Sequence, residues 1–248
     1  MESTIYESFT LPSKGMIYET EVNPQITLRS MTTLEEMKRL SPTDTPYKVM
    51  SDIIEDCMKD KPAIKVYNMS LGDYQFLLHK LRIVTYGPDY KMLIKCKHCG
   101  EVNESIGDLE SLPVNEWSKE LIDKKTITLP KTQKEIELRF QTPRDLDQIA
   151  YRAKELKKRT KQNIDYSVMF TLMSLIAKVD GAVLGQVDLE EFVKRLPNRD
   201  ANYLLNKASE LNREVGLDNV ITLKCSHCGA EMEAPFRITS EFFGPTTD

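Results

Sequence analysis

The chain is poor in the residues of covalent catalysis. Among 248 residues there are three histidines and one tryptophan. There is no phosphate-cradling glycine loop, no G-x-S-x-G elbow and no H-E-x-x-H pair. His98 and His227 lie inside cysteine motifs, and His79 stands alone in a helical stretch. A lone histidine is more often a core or surface residue than a general base. Carboxylates are plentiful but scattered along helical patterns, so no residue set nominates an enzyme and none is expected. Long apolar runs are missing too, which leaves no membrane-spanning helix. The N-terminus, Met1-Glu2-Ser3-Thr4-Ile5, lacks the basic-then-apolar pattern of a signal peptide, so a reducing cytoplasm is expected. Excess positive charge is absent as well. A formal net charge of −4 argues against general nucleic-acid binding and leaves room only for a local basic patch.

Four of the five cysteines form two matching knuckles. The first reads Ile94-Lys95-Cys96-Lys97-His98-Cys99-Gly100, the second Leu223-Lys224-Cys225-Ser226-His227-Cys228-Gly229. Two residues between cysteines let both sulfurs face one ion from a tight turn, and the following glycine permits the left-handed backbone that turns amides towards the thiolates. Four soft thiolates suit one tetrahedral zinc and leave no open position for water, so a single structural Zn2+ on Cys96, Cys99, Cys225 and Cys228 is expected. A zinc ribbon usually places about 15–20 residues between its knuckles. Here 126 positions separate Cys99 from Cys225, so a folded segment is inserted. Redox pairs are the alternative, but a thioredoxin-like pair opens a helix after a strand and needs no twin. A zinc-bridged dimer is another, although closure within one chain has the higher effective concentration. Cys57 sits in a helical pattern and reads as a small core residue.

In chain order, Leu11-Pro12-Ser13-Lys14-Gly15 is a turn and Ile26-Thr27-Leu28-Arg29 a short strand. Thr33-x-x-Glu36 reads as a capping box. Thr45-Pro46 opens a second helix with Val49, Met50, Ile53, Ile54 and Cys57 towards the core. Ser70 caps a third, ended by Gly87-Pro88. The second half repeats the plan. Leu138-Arg139-Phe140-Gln141-Thr142 matches Leu28-Arg29-Ser30-Met31-Thr32, Asp200–Lys207 matches Asp73–Lys80, and each half runs through a glycine to a strand and a knuckle. Thr126–Leu129 and Glu135–Phe140 alternate as a hairpin, Asp180-Gly181 is a type I′ turn, and Asp188 caps a helix ending at Leu196-Pro197. The expected fold is α+β: two related helix-rich halves with short β-hairpins, residues 1–110 and 111–248, joined by a four-cysteine, zinc-ribbon-like site.

Two features point outward. Arg152, Lys154, Lys157, Lys158, Arg159 and Lys161 form either an anion-binding face or a solvated helix end that offsets the helix dipole. The terminal Phe242-Phe243 either docks on its own core or anchors a partner.

The leader Leu11-Pro12-Ser13-Lys14-Gly15-Met16-Ile17-Tyr18, the LRSMTTLEE segment at 28–36, the Leu81-Arg82-Ile83-Val84-Thr85-Tyr86-Gly87 stretch before the first knuckle and the phenylalanine-bearing tail resemble baseplate hub and hub-assembly proteins of T-even-like contractile-tailed bacteriophages. The resemblance implies a non-enzymatic part in building the central baseplate hub, as a virion component or as a chaperone-like factor acting in the host cytoplasm. It implies other hub or tail proteins as partners, with Phe242, Phe243, Arg29 and Arg139 as contact candidates. The alternative is a zinc-ribbon nucleic-acid-binding or transcription accessory protein, supported by the ribbon and the basic cluster.

Overall fold

The computed structural model describes residues 6–218, 220–235 and 240–243. β1 (Tyr6–Thr10) and β2 (Gln25–Arg29) pair antiparallel across the Leu11–Gly15 turn, where Lys14 and Gly15 take the left-handed backbone (φ 53° and 75°). α1 (Thr33–Leu40) follows with a capping box, one residue earlier than the spacing suggested: Thr32 and Glu35 form it. Both registers of Thr-Thr-Leu-Glu-Glu satisfy the motif. Arg29 selects between them by binding Glu35, and Glu36 pairs instead with Arg39.

α2 (Pro46–Cys57) starts at Thr45-Pro46 as expected, but the Thr45 hydroxyl caps nothing. Its free amides are met from the other half of the chain. Asp147 accepts hydrogen bonds from the amides of Tyr47 (3.3 Å) and Lys48 (2.9 Å), and from the Tyr67 hydroxyl (3.1 Å). α3 (Leu71–Tyr86) is capped by Ser70 and closed by Gly87 at φ 85°. β3 (Asp89–Lys95) and β4 (Val102–Asp108) form a hairpin with the first knuckle at its tip, and β5 (Val114–Asn115) follows.

The second half runs through α4 (Leu121–Lys124), the expected hairpin of β6 (Thr126–Thr128) and β7 (Glu135–Leu138), α5 (Pro143–Thr160) and α6 (Ser167–Leu175). β8 (Ile176–Val179) adds a third strand on β7, which local pattern did not announce. Asp180 and Gly181 turn it with positive φ. α7 (Gln186–Arg195) begins after Gly185, so Asp188 is not its cap but a first-turn acid near the positive helix end. α8 (Asn198–Arg213), β9 (Gly216–Leu217) and the hairpin of β10 (Val220–Lys224) with β11 (Glu231–Pro235) complete the chain, the second knuckle lying at that hairpin's tip.

Two cores form. One gathers buried residues from Leu11 to Leu112 with Leu217, Phe242 and Phe243; the other runs from Leu121 to Val215. They meet where α3 begins. The Leu71 amide donates to the Gln141 carbonyl (2.8 Å), β5 pairs with β9, and the Trp117 amide donates to the Pro12 carbonyl (2.9 Å). Trp117 packs against the second core, in keeping with an edge-sealing role.

His79 lies inside the first core, and neither ring nitrogen has a well-formed hydrogen bond among the described residues. Burial, with Lys80 beside it, pushes the imidazole pKa down to about 4, against an opposing pull from the Leu109 backbone. The folded value lies below the unfolded one, so the stability is complete above about pH 6.5 and is lost as pH falls towards 4. Between pH 7 and pH 4.5 this group should remove roughly 2 kcal/mol. His79→Leu should abolish that increment. Urea unfolding of both proteins at the two pH values checks it, because the difference between them cancels the other acid-labile groups. An equal acid loss in both proteins would exclude His79 as the cause.

Candidate metal centre and contact surfaces

Each knuckle is built by its own hairpin. The Cys96 amide donates to the Glu101 carbonyl and the Gly100 amide to the Cys96 carbonyl. In the second knuckle, Cys225 to Ala230 and Gly229 to Cys225 repeat the pattern. Gly100 and Gly229 take φ 80° and 72°, the left-handed backbone expected for them. The hairpins bring their tips together, and the four cysteine sulfurs all lie within 4.8 Å of one another. Cys96 faces Cys228 at 3.8 Å and Cys99 faces Cys225 at 3.6 Å. Disulfides would need about 2.05 Å. Four sulfurs about 2.3 Å from one tetrahedral ion stand about 3.8 Å apart, so the set can hold a metal ion.

The electrostatics favour a cation. The amides of Cys99 and His98 hold the Cys96 thiol below its usual range. At Cys225 burial opposes ionisation, yet the amides of Cys228 and His227 bring it down to about 6. Cys99 is helped by the Glu101 amide but is pushed up to about 12 by burial and the neighbouring sulfurs. The crowded thiols can ionise together only around a positive ion. His98 and His227 are exposed and stand outside the sulfur cluster.

Asn103 on β4 is a functional residue that local reading missed. Its side-chain carbonyl accepts from the Ser226 amide (2.8 Å) and hydroxyl (2.9 Å), and its amide donates to the Glu101 carbonyl (3.2 Å). It ties one knuckle to the other, and its side chain also helps to hold the Cys225 thiol down. The only signal is a polar residue at an inward strand position.

Arg29 and Arg139 do the same work in the two halves. Arg29 donates to Glu35 (3.0 Å) and to the Asp56 carbonyl (3.0 Å); Arg139 makes two bonds to Asp145 (3.0 and 2.7 Å). Each partner acid belongs to a capping box. Hydrogen bonding from Arg29 holds the Glu35 carboxyl down at about 2. Arg29 is thereby spent inside the chain, whereas Arg139 also lines a cleft beside α5. A second repeated device went unread. Asp73 accepts from the Ser13 amide and hydroxyl, and Asp200 from the amides of Lys131 and Thr132 and the Thr132 hydroxyl. Each buried carboxylate holds a Leu-Pro turn containing a left-handed residue, Lys14 or Gln133.

The tail aromatics take the docked alternative. Phe242 is 0% and Phe243 2% exposed. Arg82, itself wholly buried, donates to the Phe242 carbonyl (3.0 Å) and the Gly87 carbonyl (3.0 Å). The Phe242 ring also packs on Tyr90. These rings are used up as core, so neither presents a free anchor. In the basic cluster, Lys154 pairs with Asp44, Lys158 with Glu155, and the last turn of α5 carries Lys157, Lys158 and Arg159 at the negative helix end.

An outward-facing surface appears instead on α1. Leu34, Met37 and Leu40 are 57%, 64% and 66% exposed, whereas Glu35 and Arg39 point inward. The helix is amphipathic with its apolar stripe turned to solvent.

Compared with known proteins, residues 4–244 match the model of a family described as T4 bacteriophage base plate protein. No curated protein and no solved structure matches the chain.

Proposed function

Because the chain belongs to the T4 bacteriophage base plate protein family, we propose that it is a non-enzymatic structural or assembly protein of the central hub of the tail baseplate. The family match across residues 4–244 carries this reading. Family membership supports a position in the virion tail and other baseplate proteins as partners. As a hub-assembly factor it would first meet hub or tail proteins in the host cytoplasm. One structural Zn2+ on Cys96, Cys99, Cys225 and Cys228 would clamp the two hairpins, since four thiolates in a closed tetrahedron leave no position for substrate. Residues 1–110 and 111–248 would be halves of an old duplication. The paired capping boxes, the paired arginines and the two aspartate-held turns support that origin.

Contacts would centre on the exposed stripe of α1, because large apolar side chains are held out of the core there while charged ones are buried. Electron microscopy of lysates from phage lacking the gene tests the role. Filled heads without baseplates or tails are expected, and normal infectious tails would overturn the reading. Complementation should fall at least tenfold with Leu34→Ser, Met37→Ser and Leu40→Ser combined. The folded protein should lose little stability, because exposed substitutions usually stay within about 0.5 kcal/mol each. Full rescue by that variant would remove α1 from the contact surface.

A further inference from the structure

Arg152 belongs to the basic run of α5 but is used differently from its neighbours. Its guanidinium carbon lies 4.3 Å from the centre of the Phe170 ring, and Phe170 is buried. Lys154 and Lys158 have carboxylate partners. Among the described residues Arg152 has none, and its remaining contact is that ring. It lines a cleft of about 260 Å3 between α5, α6 and α7 with Arg139, Gln148 and Gln186. The Arg139 fork is closed on Asp145, so Arg152 supplies the cleft's excess charge. The carboxamides of Gln148 and Gln186 make no hydrogen bond among the described residues.

A guanidinium held over a ring face by its carbon still has N–H donors for two parallel bonds, the geometry that fits a carboxylate. A phosphate dianion would find one unspent cation and would face Asp145. The cleft is also smaller than the roughly 300–1,000 Å3 of small-molecule and cofactor sites. We propose that it is a carboxylate-binding pocket that takes one aspartate or glutamate side chain of a protein partner. The proposal rests on the baseplate-contact reading only for the origin of that carboxylate.

The test is NMR of the full chain labelled on arginine, following the Arg152 Nε–Hε signal. That signal is identified by its absence in Arg152→Gln. N-acetylglutamate amide should give a saturable shift. N-acetylglutamine amide and inorganic phosphate should each bind at least tenfold more weakly. Arg152→Gln should abolish binding of N-acetylglutamate amide, read on the neighbouring Arg139 signal, and Arg152→Lys, which keeps charge but not the fork, should weaken it about tenfold. Unshifted melting temperatures show that these surface variants fold. No saturable shift, equal binding of the glutamine analogue or of phosphate, or undiminished binding by Arg152→Lys would each overturn the pocket. The phage deletion experiment reads the baseplate role alone, so the two conclusions fail separately.

Discussion

Cys96→Ser should reduce the metal content from one zinc per chain to none, read by native mass spectrometry. Neither knuckle holds a tetrahedral ion alone, so removing one sulfur of the shared set leaves two cysteines from one hairpin and one from the other. A metal on this set would also close the chain between Cys96 and Cys225. Closing a loop of over 100 residues is worth about 5 kcal/mol in the unfolded-chain picture, and structural zinc in finger peptides binds with about 10–16 kcal/mol. Both cores survive the mutation, so the loss of unfolding free energy should be about 4–6 kcal/mol. That is a large share of an ordinary domain's roughly 5–15 kcal/mol. A zinc chelator should do the same to the wild-type protein, and His98→Ala should do neither because its ring is outside the sulfur cluster. One zinc retained by Cys96→Ser would overturn the shared site.

Gly72→Ala should unfold the junction of the two halves. A methyl at Gly72 would lie 1.9 Å from the Val215 carbonyl oxygen, and one at Gly216 would lie 2.8 Å from the Gly72 α-carbon. Both obstacles are backbone, so no rotamer change relieves them. α3 and β9 must separate, and with them the β5–β9 pair and the Leu71–Gln141 hydrogen bond. Overpacking commonly costs about 1–3 kcal/mol where side chains can yield. Against backbone the cost should exceed about 4 kcal/mol, measured by denaturant unfolding. Gly185→Ala is the control. Its methyl would touch only the Asp188 carboxylate at 3.5 Å and Gly185 has ordinary negative φ, so the change should cost no more than about 1 kcal/mol, the effect of alanine at a helix N-cap.

Some of this architecture was readable because it depends on residues three or four apart. The Ser70 cap, the Gly87 stop and the Asp180-Gly181 turn are local hydrogen-bonding and dihedral requirements. The first capping box was misplaced by one residue for an instructive reason. Thr32–Glu35 and Thr33–Glu36 are locally equivalent, and the distinction comes from Arg29, outside the motif. Asp188 failed as a cap because Gly185 entered the helix first. Gly216, which like Gly87 precedes a strand and a knuckle, is also the close-packing partner of Gly72.

Residue types and short spacings were enough to single out the four cysteines that the fold brings together, several of the turns and caps, and the mixed helix-and-strand character of the chain. They could not show which face of α1 is buried, because an apolar stripe reads as a core stripe until Glu35 and Arg39 find partners inside. Nor could they place Phe242 and Phe243 in the first core, held by Arg82 from 160 residues away. The capping of α2 by Asp147 and the seating of β8 on β7 are of the same kind. Each joins segments far apart in the chain. Such contacts depend on shape and burial after long loops have closed, and a local pattern of polar and apolar residues carries neither.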